Sequence, residues 1–442
     1  MDNPLRSSKR PRQSASVAGH KQHQIQYPQC EDAGEVSCPG FMSRPTRLDP
    51  ADVLGFSRLA MEAASGMAGV VEEMHTAIAG NILPGTPSQA VIASTTAAVY
   101  GAVRAFTGVA GGGIDAMLSR LESTGGRKPS TPEREALLAG LNGIVGDHLA
   151  ATQNPLAIPM RLRRRGRPLQ LQREHLAAAI PQAGDKLLVL IHGLCMNDLQ
   201  WTRRRHNHGA ALAADLGWTS VYLHYNSGLH VSTNGRAFAA LLEALVAQWP
   251  SPVSELAIIG HSCGGLVARS AHYYGGEARY RWPKYLRWLI FLGTPHQGSG
   301  LERCTNWVHT VLGSTPYSSP LARIAAIRSA GITDLRYGNL LDEDWQGTNR
   351  FHNDGDRRHP FPLPKRVRCS ALAATKAKAG EHMGDGLVSV DSALGRHANR
   401  GNAPLFAESR QWVGHGLSHW DLLSHPTVYR RIRDQLASSG NA

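Results

Sequence analysis

The sequence predicts an α/β fold, a mostly parallel central sheet with helices on both faces, carrying a helical insertion and preceded by an all-helical extension. Three observations carry this. From about residue 158 onward, short apolar β-type runs alternate with helical segments, the pattern of parallel strands joined by helical crossovers. Between Val53 and Ile78 the apolar residues recur at three- and four-residue steps instead, the period of a helix face, and two further helical stretches follow before Thr152. One apolar run, Leu256 to Ile259, passes without a linker into Gly260-His261-Ser262-Cys263-Gly264 and then into a helical stretch.

Taken in order, residues 1–47 predict a disordered basic tail, rich in Ser, Gln, His and Pro and without apolar periodicity. Asp49-Pro50 places an N-cap and first helical position ahead of Val53, Phe56, Ala60, Ala63, Met67, Val70, Met74 and Ile78, which share one helix face. A second helical stretch covers about Ser88 to Leu121, interrupted at Gly111-Gly112-Gly113, and Thr131-Pro132 opens a third that ends near Thr152. This helical region, 48–153, offers nothing catalytic; Glu72, Glu73 and His75 fit a solvated helix face. From 154 to 442 the rhythm becomes strand and helix. MRLRRRGRPLQL gives two short strands around Arg165-Gly166. Then come strands at Lys186 to Ile191, Thr219 to Tyr225, Leu256 to Ile259, Leu286 to Leu292, Val367 to Ala373 and Phe406 to Val413, with a helix over Gly235 to Trp249. The segment from about 301 to 364, with apolar helical pieces at Trp307 to Leu312 and Leu321 to Ile327, is placed to act as a lid.

The run at 256–271 carries the chemistry. A serine on a tight strand-to-helix turn needs glycine on both sides, because the backbone there is strained and crowded. Its hydroxyl then stands above the sheet beside a helix N-terminus, which makes Ser262 a candidate nucleophile. Attack on an ester carbonyl requires donors aimed at the oxyanion that develops. Upstream, KLLVLIHGLCMND sets His192-Gly193-Leu194 directly after a buried strand, where Gly193 permits a turn that aims the Leu194 N–H at the site. The Cys263 N–H at the start of the elbow helix is the second donor.

In this order, I-H-G-L, G-H-S-C-G-G, LIFLGTPHQGS, GDGLVSV and SHWDLL, the chain resembles the α/β-hydrolases of the bacterial triacylglycerol lipase and GPI inositol-deacylase-like esterase type, over roughly residues 155 to 437. The resemblance implies an acid on the turn after the penultimate strand, where Asp385 matches and Asp391 and Asp354 are alternatives. It implies a base after the last strand, where His415, His419 and His425 all occur and His419 fits the H-x-D-L-L pattern. It further implies a pocket role for His296, with His192 and His261 expected beside it in substrate binding. Asp421 stands where some bacterial lipases hold calcium, and a helix-start aspartate explains it equally. The expected activity is ester hydrolysis by a Ser262–His419–Asp385 triad with no cofactor or metal. A thioesterase or acyltransferase would use the same residues, and a non-catalytic membrane-associated protein could keep the fold.

The composition bounds the partners. Forty-seven Lys and Arg against 34 Asp and Glu give a formal net charge of +13, which favours anionic surfaces. Arg161, Arg163, Arg164, Arg165 and Arg167 cluster near a hairpin, and Arg203-Arg204-Arg205 lie in a loop; no nucleic-acid module accompanies them. The expected partners are an ester or lipid substrate and a transient anionic membrane surface, with no nucleic acid. Six scattered cysteines without a C-x-x-C pair predict free thiols. The polar, basic N-terminus lacks a signal-like apolar segment, and no charge-free apolar run spans a bilayer, so the expectation is a cytoplasmic protein with peripheral membrane contact.

Overall fold

The computed structural model describes residues 51–61, 130–299, 328–347, 355–378, 384–396 and 406–438. The expected tail, the face from Ala63 to Ile78, the stretch from Ser88 to Leu121, Asp354 and most of the expected lid lie outside the described residues.

Eight strands form one sheet: β1 Arg161–Arg164, β2 Arg167–Pro168, β3 Lys186–Ile191, β4 Thr219–His224, β5 Glu255–His261, β6 Leu286–Leu292, β7 Arg368–Thr375 and β8 Gln411–His415. Their spatial order is β2-β1-β4-β3-β5-β6-β7-β8. β1 is antiparallel to both β2 and β4, and every other pairing is parallel. The order reverses at β3, which pairs β4 on one side and β5 on the other. In a parallel sheet that reversal opens a crevice at the carboxyl ends of the strands. His192-Gly193-Leu194 and Ser262 follow those ends. With this topology the fold is that of an α/β-hydrolase.

The β3 run LLVLI is apolar at every position because both faces are covered. Leu187, Val189 and Ile191 enter one buried cluster, Leu188 and Leu190 the other, as a period of two requires. On the second face pack helix α4 (His208–Leu216) and helix α9 (Pro426–Ala437), through Leu212, Val428, Ile432 and Leu436. The first face takes helices α5 (Val231–Gln248) and α6 (Cys263–Glu277).

The helical region upstream shares this core. Helix α2 (Pro132–Ala151) is capped by Thr131, whose side chain accepts from the Arg134 N–H, with Pro132 at the first position. Its middle turns are buried all round, with Leu138, Leu141, Ile144, Val145 and Leu149 in the same cluster as Ile191 and Val189. A helix apolar on every side has to lie inside a protein. Helix α1 (51–61) is fixed to it by Asp52, which accepts from Arg134 Nε and Nη2 at 2.6 Å each. Leu54 is the most buried apolar side chain of α1, one position beyond the face the spacing predicts from Val53. Within the expected lid, residues 328–347 also join the core. The short helix α7 (Ala330–Asp334) buries Ile332, followed by Leu335, Leu340 and Leu341. Among the described residues no helix is long and apolar enough to cross a membrane.

Candidate active site

Ser262 sits between β5 and α6 with φ 55° and ψ −130°, a conformation that a non-glycine residue holds only when its surroundings force it. The forcing comes from close backbone neighbours. The Ser262 N–H donates to Leu292 O at 2.8 Å and its carbonyl accepts from Gly265 N at 3.1 Å. A Cβ on Gly260 would lie 2.5 Å from Gly265 Cα, and one on Gly264 would lie 2.5 Å from the His192 carbonyl oxygen. The two flanking glycines are therefore steric necessities. The serine is 1% exposed and its Oγ has no hydrogen-bond partner among the described residues.

The acid and base candidates come together as a pair. His419 Nδ1 lies 2.6 Å from Asp385 Oδ2, and the His419 N–H donates to the Asp385 carbonyl at 3.2 Å. The turn GDGLV prepares the carboxylate: Leu387 N and Val388 N donate to Oδ1 at 2.9 and 2.8 Å, leaving Oδ2 for the imidazole. A carboxylate only accepts, so Nδ1 carries the proton and Nε2 presents a lone pair. That Nε2 is buried and has no partner among the described residues. Gly293, at φ 58°, packs against this ring: a Cβ there would fall 3.0 Å from His419 Nδ1 and Cε1. The rival residues stand elsewhere. His415 ends β8 exposed, His425 caps α9 by accepting from Thr427 N, and Asp391 is exposed and paired with Arg396. Asp421 accepts from Ser418 N and Oγ and pairs with Arg204 Nη1 at 2.9 Å. Among the described residues no group of three or more His, Cys, Asp or Glu could hold a metal ion.

Across the crevice, a Cβ on Gly193 would come 3.1 Å from Ser262 Cβ, so the turn after β3 passes directly beside the serine. The Leu194 N–H faces the Cys263 sulfur, a weak acceptor. Burial, only partly offset by Tyr225 and the Leu194 amide, pushes the Cys263 thiol up to about 12. It is neutral, and what it brings to the site is its backbone N–H.

The three histidines expected in substrate binding are all fully buried with protein contacts. His192 Nδ1 donates to the Gly193 carbonyl at 2.8 Å and its ring stacks on Tyr225 at 4.4 Å. Burial lowers its pKa to about 3, so it is neutral. His261 Nε2 donates to the His419 carbonyl at 3.2 Å and supports the base loop from beneath. His296 accepts from Arg269 Nη1 at 3.2 Å and lies between Phe291 and Phe406. Burial, then the neighbouring His419, drives His261 well below the usual imidazole range; burial, then Arg269, does the same to His296.

Two features of the site rest on contacts that no sequence spacing announces. Helix α2 lies against the turn that holds Leu194. Gly143 admits Cys195, whose backbone N and Cα would lie 2.9 Å from a Cβ there, and Gly146 admits Asn226. Asn226 Nδ2 donates to the Gly146 carbonyl at 2.7 Å, next to Val145, where the helix breaks to φ −128° and ψ 19°. Ser227 Oγ accepts from Cys195 N at 3.0 Å, so Tyr225-Asn226-Ser227-Gly228 braces that turn from the side. Second, a buried charge cluster ties four segments together. Arg163 Nη1 donates to Glu135 at 2.8 Å and to Asp198 at 3.2 Å, and His224 lies 3.3 Å from Asp198. Burial pushes Glu135 up, yet Arg163 and His224 outweigh it and hold it below the usual carboxylate range. For Asp198 burial is again outweighed, by His224 and then Arg163.

Residues 236–354 match the family model of the PGAP1-like alpha/beta domain, a span that runs from α5 through the elbow into the segment beyond β6. Among solved structures the mature lipase BlEst2 of Bacillus licheniformis is 19% identical, with 57% of this chain and 92% of that one covered at a TM-score of 0.38. For the esterase Pf2001 of Pyrococcus furiosus the figures are 11%, 58%, 80% and 0.35. For the hyperthermophilic esterase of Pyrobaculum calidifontis they are 13%, 73%, 95% and 0.35. No curated protein matches the sequence.

Proposed function

We propose that this chain, an α/β-hydrolase with a PGAP1-like alpha/beta domain, is a serine esterase that cleaves carboxylic esters through an acyl-enzyme on Ser262. One observation carries the reading. His419 is fixed by Asp385 at 2.6 Å in the tautomer whose free Nε2 can take a proton, and Gly293, which packs on its ring, follows Leu292, the residue whose carbonyl accepts from the Ser262 N–H on the strained elbow. His419 takes the Ser262 proton as Oγ attacks the acyl carbon, and Asp385 stabilises the imidazolium. The oxyanion receives the Cys263 N–H and the Leu194 N–H, which gives up a weak thiol acceptor for a charged oxygen. The imidazolium protonates the departing alcohol. His419 then activates water, which attacks the acyl carbon and restores Ser262.

The test is hydrolysis of p-nitrophenyl esters by Ser262→Ala. The expected loss in kcat is on the order of 10⁶-fold with unchanged thermal unfolding. A folded variant that keeps more than a few per cent of the activity removes Ser262 from its role.

A further inference from the structure

Two arginine-rich segments that are 36 residues apart or more in sequence meet on one surface. The β1–β2 hairpin turns at Arg165 and Gly166, with φ 51° and 73°. A second two-residue turn closes between Arg203 and His206, whose backbones pair at 2.9 and 2.8 Å, with Arg204 and Arg205 at its tip at φ 48° and 60°. Such turns place both central residues in the left-handed region, where glycine, asparagine and aspartate are the usual occupants. Arginine at three of the four tip positions works against that backbone preference, and local rules are broken most often where a surface is used.

Contacts join the two tips. Leu199 packs against Gly166, close enough that a Cβ there would lie 2.8 Å from Leu199 Cδ2, and its carbonyl accepts from Thr202 at 3.0 Å, one residue before Arg203. Tyr222 pairs with Arg163 in the sheet and donates to Asn207 at 2.6 Å, one residue after His206. Arg165, Arg167, Arg204 and Arg205 are exposed, and Leu199 between the tips is half-exposed. Of the six arginines on this surface, Arg204 pairs with Asp421; Arg164, Arg165, Arg167 and Arg205 have no carboxylate partner among the described residues. The patch borders the loop of the candidate base, since Arg203 lies 5.5 Å over the Trp420 ring, next to His419.

We infer that this surface docks the protein on an anionic phospholipid bilayer. Unpaired guanidinium groups on two projecting tips, with a leucine between them, suit a plane of phosphates over an apolar layer. A single-stranded nucleic acid needs aromatic faces on which bases stack. The rings here are not free for that, because Tyr222 is buried and Arg203 covers Trp420. The consequence, delivery of a bilayer ester to Ser262, rests on the proposed function; the binding itself does not.

The experiment is flotation of the full-length Ser262→Ala protein with vesicles of phosphatidylcholine alone, or with one part in three of phosphatidylserine. Binding is expected only to the second kind and should fall as salt rises. Arg164→Gln/Arg165→Gln/Arg167→Gln/Arg205→Gln should weaken it by two to three orders of magnitude, at about fivefold per arginine near the surface. The milder Arg167→Gln/Arg205→Gln gives a second reading if the quadruple variant does not fold. The control removes equal charge among exposed cations elsewhere, with Arg173→Gln/Arg279→Gln/Lys284→Gln/Arg287→Gln. No binding to the anionic vesicles, an equal loss in the control, or tighter binding to single-stranded RNA would overturn the inference. Because the serine is absent throughout, these outcomes stand apart from any failure of the esterase reading.

Discussion

The two walls of the crevice are built by different means. The elbow wall is one continuous segment: its strand, turn and helix run from Glu255 to Glu277 in one piece, and the glycines that relieve the strain at Ser262 are its own neighbours. The oxyanion wall is held from outside. Leu194 and Cys195 follow β3, but α2 backs them, the segment after β4 braces them, and Ser329 Oγ bonds the Gly143 carbonyl at 2.6 Å. The elbow is therefore set mainly within its own segment, with the ends of the adjoining strands at Leu292 and His192 against it, whereas the donor across from it is backed by a helix and loops from distant parts of the chain. Damage to α2 should reach the chemistry through the oxyanion wall and leave the elbow intact.

The largest effects are expected where the walls meet. His419→Ala should lower kcat nearly as far as loss of the serine, on the order of 10⁶-fold, and Asp385→Asn about 10⁴-fold. His415→Ala, exposed at the end of β8, should stay within about twofold. Steady-state kinetics on a short-chain ester decides among them, and inactivity of the His415 variant would move the base.

Acid comes next. His192 and His208 are each held at about 3 by burial, below the 6.5 they have when unfolded, so below pH 6.5 the unfolded chain binds protons that the native one does not. Stability is then full above about pH 6.5 and is lost as pH falls, by about 2 kcal/mol for each of the two at pH 5. The depressed Glu135 and Asp198 add a further loss, which begins near their unfolded values of 4.5 and 3.8 and grows as pH falls. The oxyanion wall holds His192 and both carboxylates, against His261 alone at the elbow. Hydrogen exchange at pH 4, where the carboxylates also begin to count, should therefore release amides of 192–198 before those of 259–266; the reverse order breaks the comparison.

A smaller effect isolates the brace. Gly146→Ala places a methyl 2.8 Å from Asn226 Cγ, and overpacking of this kind costs about 1–3 kcal/mol. We expect kcat to fall about tenfold with KM little changed, since the donor acts mainly in the transition state. Gly276→Ala on α6, with nothing within 4 Å of the new carbon, should leave kcat alone and raise stability by up to about 1 kcal/mol. Equal kcat values for the two variants would separate α2 from the site.

The same contrast explains what was legible beforehand. The elbow, the strand run from Lys186 to Leu292 and the GDGLV turn are contiguous, so glycine spacing and apolar runs announce them. Even the turn's two amides on Asp385 lie within three residues of it. Helix α2 was legible as a helix from Thr131-Pro132, but not as a backing for Leu194. Gly143 and Gly146 look like any helix glycines until Cys195 and Asn226 arrive from far along the chain. The cluster of Glu135, Arg163, Asp198 and His224 likewise has no spacing to detect, as each residue belongs to a different segment. From sequence, the arginines of the β1–β2 hairpin look alike; the fold draws Arg163, its side chain 12% exposed, into an ion cluster and leaves Arg165 exposed.

The central claim, that Ser262 is a nucleophile activated by His419, is tested most directly by mapping where a fluorophosphonate attaches. Intact mass should rise by one phosphonyl group, and peptide sequencing should place it on Ser262, with labelling slowed by orders of magnitude in His419→Ala. Labelling at any other residue, or equal labelling rates in the wild type and the His419 variant, would contradict the account.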